Sequence, residues 1–293
     1  MNIAIVGATG NVGRKILEIL EKKELKIENL YLVASSKSVG KKIKFKGIEH
    51  EIFDLESFDF SKAKITFFSA GGEISKNFAE KASKNSIVID SSSFFRMDPD
   101  IPLIVPQVNS KELNNIKKNI IANPNCSTAQ LVIALKPLHD LFVIKRIVVS
   151  TYQSVSGGGK APMDELVEQT KLVLGGKKVV SKNFTKQIAF NAIPHIDTFS
   201  DNGYTKEELK MTNETKKILD NQIDLTATCV RLPISVSHSE SVNIQFKKPF
   251  SIEKVRSALD NFPGCKVIDK RSDGGYMTPL EAEGKNETFI SRI

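Results

Sequence analysis

Asn2-Ile3-Ala4-Ile5-Val6-Gly7-Ala8-Thr9-Gly10-Asn11-Val12-Gly13 is an apolar, strand-like run that breaks into a glycine-rich turn. Ile16, Leu17 and Leu20 follow at helical spacing. Strand, turn and helix in that order form the context a dinucleotide-binding turn requires. Glycines permit the tight turn and let the backbone approach a pyrophosphate, which then rests on the helix N terminus. The spacing is G-x-x-G-x-x-G, looser than the usual G-x-G-x-x-G, and a purely structural glycine turn is the alternative reading.

Working outward, Leu30-Tyr31-Leu32-Val33-Ala34, Ile65-Thr66-Phe67-Phe68, Ser86-Ile87-Val88-Ile89-Asp90 and Asn119-Ile120-Ile121-Ala122 read as further strands. A helix-like stretch runs from Ile74 to Ala82. Strands alternating with helices predict an α/β fold with a doubly wound parallel sheet, whose ligands bind at the carboxyl ends of the strands. Where an NAD-binding chain places an acid for the ribose hydroxyl, this one has Ser35-Ser36-Lys37-Ser38. Hydroxyls and a cation suit a 2′-phosphate, so NADP is favoured over NAD. After the Ile87 strand comes Ser91-Ser92-Ser93-Phe94-Phe95-Arg96, in which Arg96 suits bidentate capture of a phosphate or carboxylate.

Asn123-Pro124-Asn125-Cys126-Ser127-Thr128 closes this half of the chain. Pro124 pushes Asn123 toward extended geometry, and Ala129, Val132 and Leu135 begin an amphipathic helix. Cys126 thus falls at a helix N terminus, where the dipole and open N–H groups stabilise a thiolate. It reads either as a nucleophile or as a buried structural cysteine. Beyond it, a β-type run from Phe142 to Val155 ends in Ser156-Gly157-Gly158-Gly159-Lys160, Leu209 to Leu219 reads as a helix, and Thr226 to Leu232 as a strand holding Arg231. Glu214 and Lys217 sit three apart on one helix face, a spacing that also suits a surface ion pair. His238 lies in Ser237-His238-Ser239-Glu240 and could equally be a structural histidine. These features predict two domains, residues 1–125 and 126–293, the second built on a mixed or antiparallel sheet.

Composition bounds the rest. The 293 residues are 26% charged and 40% hydrophobic, as in an ordinary globular protein. No apolar run approaches the ~20 residues of a membrane span and no signal-peptide pattern opens the chain, which predicts a cytoplasmic location. The net charge of +8 is spread along the chain, as in Lys41-Lys42-Ile43-Lys44, without the basic-aromatic stripe of a nucleic-acid binder. Three scattered cysteines and four scattered histidines predict neither a disulfide framework nor a metal.

These stretches together resemble the bacterial aspartate-β-semialdehyde dehydrogenases. The likeness rests on Gly7 to Gly13, Ser91 to Asp98, the Cys126 turn, Tyr152 to Gly157, Glu214 to Lys217, Arg231-Leu232-Pro233 and His238-Ser239-Glu240, and it covers essentially the whole chain. It implies NADPH-dependent reduction of L-aspartyl 4-phosphate to the semialdehyde with release of phosphate, on the route to lysine, threonine and methionine. It implies a Rossmann-type NADP-binding domain, an α+β catalytic and dimerisation domain, and a homodimer. By the likeness Cys126 is the nucleophile, His238 the acid/base catalyst and Gln153 the residue orienting the acyl group. Arg96 and Lys217 hold phosphate, Arg231 the α-carboxylate, Glu214 the amino group, and Asn125 also contacts substrate. Gly7, Thr9, Gly10, Asn11, Val12, Gly13, Ser35, Lys37, Ser38, Ser156 and Gly157 contact NADP. Family members run on past a strand like Phe289-Ile290-Ser291-Arg292-Ile293, so the family's C-terminal segment is expected to be absent here. A truncated, catalytically weak or inactive NADP-binding homologue is therefore a second reading. An N-acetyl-γ-glutamyl-phosphate reductase is a third, against which Glu214 counts.

Overall fold

All residues from Met1 to Ile293 are described in a computed structural model, and they divide into two units. The first comprises residues 1–104 and 110–124, the second 105–109 and 125–293.

The first unit is wound around β1 (Asn2–Val6), which leads through the glycine turn into α1 (Asn11–Lys22). There follow β2 (Asn29–Ala34), β3 (Lys42–Phe45), β4 (Ile48–Asp54), β5 (Ile65–Phe68), α2 (Gly72–Ser83) and β6 (Ile87–Asp90). After α3 (Pro106–Asn109), which belongs to the second unit, β7 (Ile120–Ala122) completes a sheet of order β3-β4-β2-β1-β5-β6-β7. Every pairing is parallel except β3 with β4. Ile3, Ala4, Ile5 and Val6 are all buried, as a central parallel strand covered on both faces must be. The chain leaves β1 toward β2 on one side and later returns to pair β5 on the other. That reversal puts the topological switch at the carboxyl end of β1, where the glycine turn begins.

The doubly wound sheet matches the sequence pattern, but β3 and β4 were not foreseen. Lys46 and Gly47, at φ 47° and 83°, form the two-residue hairpin turn that joins them. A run dense in lysine thus becomes an antiparallel edge, where lysines point to water and guard the open strand.

In the second unit α4 (Cys126–Phe142) leads into β8 (Ile144–Gln153), α5 (Lys160–Leu174), α6 (Lys206–Ile218), β9 (Asp224–Arg231) and β10 (His238–Phe246). The smaller elements α7 (Ile252–Asp260), β11 (Cys265–Val267), α8 (Pro279–Ala282) and β12 (Thr288–Ile290) follow. The main sheet has the order β10-β8-β9, antiparallel on one side of β8 and parallel on the other. It is therefore mixed. Leu131 and Leu135 of α4 and Met211 of α6 pack on Ile147, Val149, Ala227 and Cys229 of the strands. The strand expected from Phe142 begins at Ile144 instead. Phe142 closes α4, buried with Leu138, Val255 and Leu259, and Val143 turns the chain at φ 56°. Core packing of that ring outweighs its local β preference.

Candidate active site

In the first unit the glycine turn forms a cradle with no room for side chains. A Cβ on Gly13 would lie 2.3 Å from Gly7 O, and one on Gly7, already at φ 84°, would meet Ser69 backbone at 2.9 Å. The turn closes on itself through the Gly10 N–H, which donates to Gly7 O at 3.0 Å. The N-cap of α1 is Gly10, which has no side chain to satisfy the first N–H groups, and the first turn carries no acid. Such a terminus fits the pyrophosphate of a dinucleotide. Thr9 is half-buried, while Asn11 and Val12 are exposed. After β2, Ser36–Ser38 forms a 3-10 turn, closed by the Ser38 N–H on Ser35 O, with Ser35 and Lys37 exposed. No carboxylate lies in that turn. Elsewhere in this unit Arg96 is buried, its Nε donating to Asn123 O at 2.9 Å and its Nη2 to Ser91 O at 3.0 Å.

The second unit brings together the cysteine, histidine, glutamine and arginine that the sequence singled out. Gln153 ends β8, His238 begins β10 and Arg231 ends β9. The register pairs Gln153 with both, so the three form one rung across the end of the sheet. Cys126 begins α4, and its Sγ lies 3.2 Å from His238 Nε2. Cys126 is exposed, whereas burial pushes the Cys229 thiol up to about 12 and the Cys265 thiol up to about 11. Only Cys126 of the three has the setting of a reactive thiol. Asn125 caps α4, its Oδ1 accepting from Ser127 N and Thr128 N at 3.0 and 3.3 Å.

Gly157 sits where Arg231 and His238 converge. A Cβ there would lie 3.1 Å from Arg231 Nη1 and 3.5 Å from His238 Nε2. Ser156 Oγ lies 3.0 Å from Ser154 Oγ. Burial and then the Arg231 cation push His238 down to about 4, so the ring is neutral near pH 7. Burial likewise lowers Arg231. Glu214 is only 1% exposed, and its Oε2 accepts from the Asn125 backbone N–H at 2.6 Å. It is therefore no solvated surface acid. Lys217, one helical turn on, is half-buried.

Sequence reasoning missed Glu207. Its Oε1 accepts from Asn125 Nδ2 at 3.0 Å and from Gln153 Nε2 at 3.1 Å, while Lys210 Nζ lies 3.2 Å from Oε2. Thr151 Oγ1 donates to Gln153 Oε1 at 2.9 Å, so the glutamine amide is held at both ends. Gln130, one turn along α4 from Cys126, donates to Glu240 of β10 at 2.8 Å. A signal for Glu207 was present: Glu207, Lys210, Glu214 and Lys217 recur at helical spacing and make one polar stripe on α6. No group of three or more His, Cys, Asp or Glu is arranged to hold a metal, and no helix is long and apolar enough to cross a membrane.

Two family models match the chain. That of the semialdehyde dehydrogenase NAD-binding domain matches residues 2–116, and that of the semialdehyde dehydrogenase dimerisation domain matches residues 135–293. The aspartate-semialdehyde dehydrogenase of Aquifex aeolicus is 49% identical over 296 residues, covering 99% of this chain and 87% of the relative. The crystal structure of aspartate semialdehyde dehydrogenase II from Vibrio cholerae is similar with a TM-score of 0.96 at 45% identity, covering 99% of this chain and 87% of that one. The same enzyme complexed with ASA matches with a TM-score of 0.94, over 97% and 84% of the two chains. A Rossmann-type nucleotide-binding domain, a mixed-sheet dimerisation domain and this degree of identity over nearly the full length place the chain in the aspartate-semialdehyde dehydrogenase family.

Proposed function

We propose that the chain catalyses the NADPH-dependent reductive dephosphorylation of L-aspartyl 4-phosphate to L-aspartate 4-semialdehyde, in lysine, threonine and methionine biosynthesis. The observation that carries the reading is the 3.2 Å approach of Cys126 Sγ to His238 Nε2 at the N terminus of α4. A thiolate there attacks the acyl phosphate, the acyl C–O bond breaks as phosphate leaves, and a thioester forms, which splits one difficult step into two. When bound, the nicotinamide supplies the hydride that reduces that thioester. His238 acts on Cys126 and the acyl oxygen through Nε2, and Gln153, held by Thr151 and Glu207, orients the acyl group. Arg231 receives the α-carboxylate, while Glu214 and Asn125 complete the substrate contacts. The likeness assigns phosphate to Lys217 and to Arg96.

NADP is the preferred cofactor in this reading, because the turn after β2 offers Ser35, Lys37 and Ser38 and no acid. Thr9 to Gly13 take its pyrophosphate, and Ser156 and Gly157 are further contacts. The Vibrio cholerae enzyme has been crystallised in complex with ASA, which supports a small-molecule substrate here as well. Exposed Phe190, Phe199 and Leu174 in the dimerisation domain support a homodimer.

The test is reduction of NADP followed at 340 nm, dependent on both phosphate and semialdehyde. Turnover is expected from the full chain and is abolished in Cys126→Ser, with NADPH affinity within a few-fold of the parent. A serine variant that keeps its activity would remove Cys126 from the reaction.

A further inference from the structure

Lys210 sits one helical turn from Glu207 on α6, so the two share a face of that helix. Its Nζ lies 3.2 Å from Glu207 Oε2 and 2.8 Å from Asp197 Oδ2. Asp197 stands in the stretch between α5 and α6 at φ 68°, a left-handed conformation that aspartate tolerates, and its Oδ1 accepts from the Thr198 N–H at 2.8 Å. That stretch is itself tied down. Ile196 is buried, and Ile193 exchanges both backbone hydrogen bonds with Arg231.

We propose that Lys210 is a positioning residue: held by Asp197, it anchors the Glu207 carboxylate against the side-chain amides of Asn125 and Gln153, and so fixes the start of α4 and the acyl-orienting glutamine for reaction. This rests on the function proposed above and adds to it a residue that touches neither substrate nor cofactor.

An anchored carboxylate leaves the two amides one arrangement. It can only accept, so both groups at Oε1 are the NH2 ends, Asn125 Nδ2 at 3.0 Å and Gln153 Nε2 at 3.1 Å. Their oxygens then face the other way. Asn125 Oδ1 takes the Ser127 and Thr128 N–H groups that open α4, directly beside Cys126, and Gln153 Oε1 takes the Thr151 hydroxyl. A neutral carboxyl lifts the constraint, because its O–H donates and can meet an amide oxygen instead. Asn125 turned round leaves the cap unmade, and Gln153 turned round loses Thr151.

Glu207 depends on Lys210 for its charge. The side chain is buried, which raises its carboxyl, and the Lys210 cation is the largest influence in the other direction, ahead of the two amides. The other titratable groups that face it supply less. Arg231 of β9 is a second cation in its field, but its Nη1 is committed to Ser154 O. His238 of β10 is pushed down and stays neutral, and burial keeps the Cys229 thiol of β9 protonated. Glu208 and Glu214 on α6 can only oppose a further negative charge, and α4 and β8 meet Glu207 through the two amides. Asp197 is the lesser anchor, since its pair with Lys210 is partly solvated.

The test uses the full chain labelled with ¹³C and ¹⁵N beside Lys210→Met, which keeps the apolar stem and removes the charge. The Glu207 carboxyl carbon is assigned with Glu207→Gln, and the NH2 signals of Asn125 and Gln153 by substitution of each. Between pH 5 and 8 the parent's Glu207 carboxyl is expected not to titrate. In Lys210→Met it is expected to titrate in that range, with both amide signals moving at the same midpoint. In phosphate- and semialdehyde-dependent reduction of NADP, the ratio of the variant's kcat to the parent's is expected to fall by about tenfold from pH 8 to pH 6, with the KM for NADP unchanged. Lys210→Arg, which keeps the charge, is expected to restore the parent's profile, and Lys210→Met is expected to add no loss in a Glu207→Gln background. A Glu207 carboxyl that stays ionised in Lys210→Met overturns the anchor. A kcat ratio independent of pH, or a further loss on top of Glu207→Gln, overturns the positioning role. If Lys210→Met does not fold, Lys210→Gln gives the same readings. A parent without turnover would count against the proposed function, while the carboxyl and amide signals would still decide the anchor.

Discussion

Glu207 orients two of the amides at the candidate site. Asn125 and Gln153 both donate to its Oε1, which sets which way each side-chain amide faces. Burial pushes its carboxyl up, but the Lys210 charge and the two amide donors outweigh burial and hold it below the usual carboxylate range. Glu207→Gln offers one oxygen where two were used and places N–H groups against donors. Urea unfolding should show a loss of about 2 kcal/mol, the cost of leaving buried donors unmade. The fall in kcat should exceed any change in the KM for NADP, and a variant matching the parent in both would remove Glu207 from the site. Glu240 gives a pH test. Burial pushes its carboxyl from 4.5 up to about 8. Between those values the unfolded chain releases a proton that the native chain retains, so stability falls as pH rises through that window. Glu240→Gln keeps an oxygen for Gln130 Nε2 and cannot ionise. It should be more stable than the parent at pH 8, with the gap closing by pH 5; a gap that does not move with pH counts against a buried, raised carboxyl. The spacing of Glu207 marked it only as part of a polar stripe on α6. A stripe of Glu and Lys on a helix has the composition of a solvated face, and only the partner elements reveal that it is buried. Cys126 stood out as a nucleophile candidate from its Asn-Pro-Asn turn and the helix after it, whereas the expectations for Gln153, Arg231 and His238 came from the family likeness.

At the scale of elements, α6 is pinned by its own first turn. Thr205 and Glu208 form a reciprocal cap, the Thr205 N–H donating to Glu208 Oε2 at 2.7 Å and the Glu208 N–H to Thr205 Oγ1 at 3.3 Å. The other oxygen, Oε1, accepts from the Cys229 N–H of β9 at 3.0 Å. One side chain thus caps the helix and ties it to the strand it packs on. Thr205→Ala should cost about 1 kcal/mol, as the loss of a cap does. Glu208→Ala should cost more, about 2 to 3 kcal/mol, because it also strands a buried strand N–H. Equal losses in urea unfolding would mean that the Cys229 bond contributes little. The cap pattern T-x-x-E was present at Thr205, ahead of Leu209, where apolar spacing first suggested a helix. Apolar periodicity is a weak guide where the first turn is built from acids that are themselves buried. β10 was also missed as a strand, because Ser241, Val242 and Asn243 face solvent and leave little alternation to read.

Across the whole chain, the doubly wound half was the easier to read because its strands are short, apolar and punctuated by glycine and serine. The second half relies on three long strands in the order β10-β8-β9, in which the consecutive β8 and β9 lie side by side but β10 pairs with the far edge of β8. Its surface is more informative than its core. Leu174, which ends α5, is 75% exposed, and Val180 at 66%, Phe190 at 64% and Phe199 at 60% follow in the stretch that leads to α6. His195 stacks on Phe199 with ring centroids 4.4 Å apart, which stiffens an aromatic face toward water. Exposed apolar side chains at this density cost solubility unless another surface covers them. In a domain of the dimerisation family the natural cover is a second copy. Light scattering on the full chain is expected to give the mass of two chains, and Phe190→Glu combined with Phe199→Glu to give the mass of one. Each introduced carboxylate would have to be desolvated in the interface, so the double substitution opposes association far more than it disturbs the already exposed positions in the monomer. A dimer that survives both charges would place the contact on another face of the domain, and a parent that scatters as a single chain would remove the homodimer altogether.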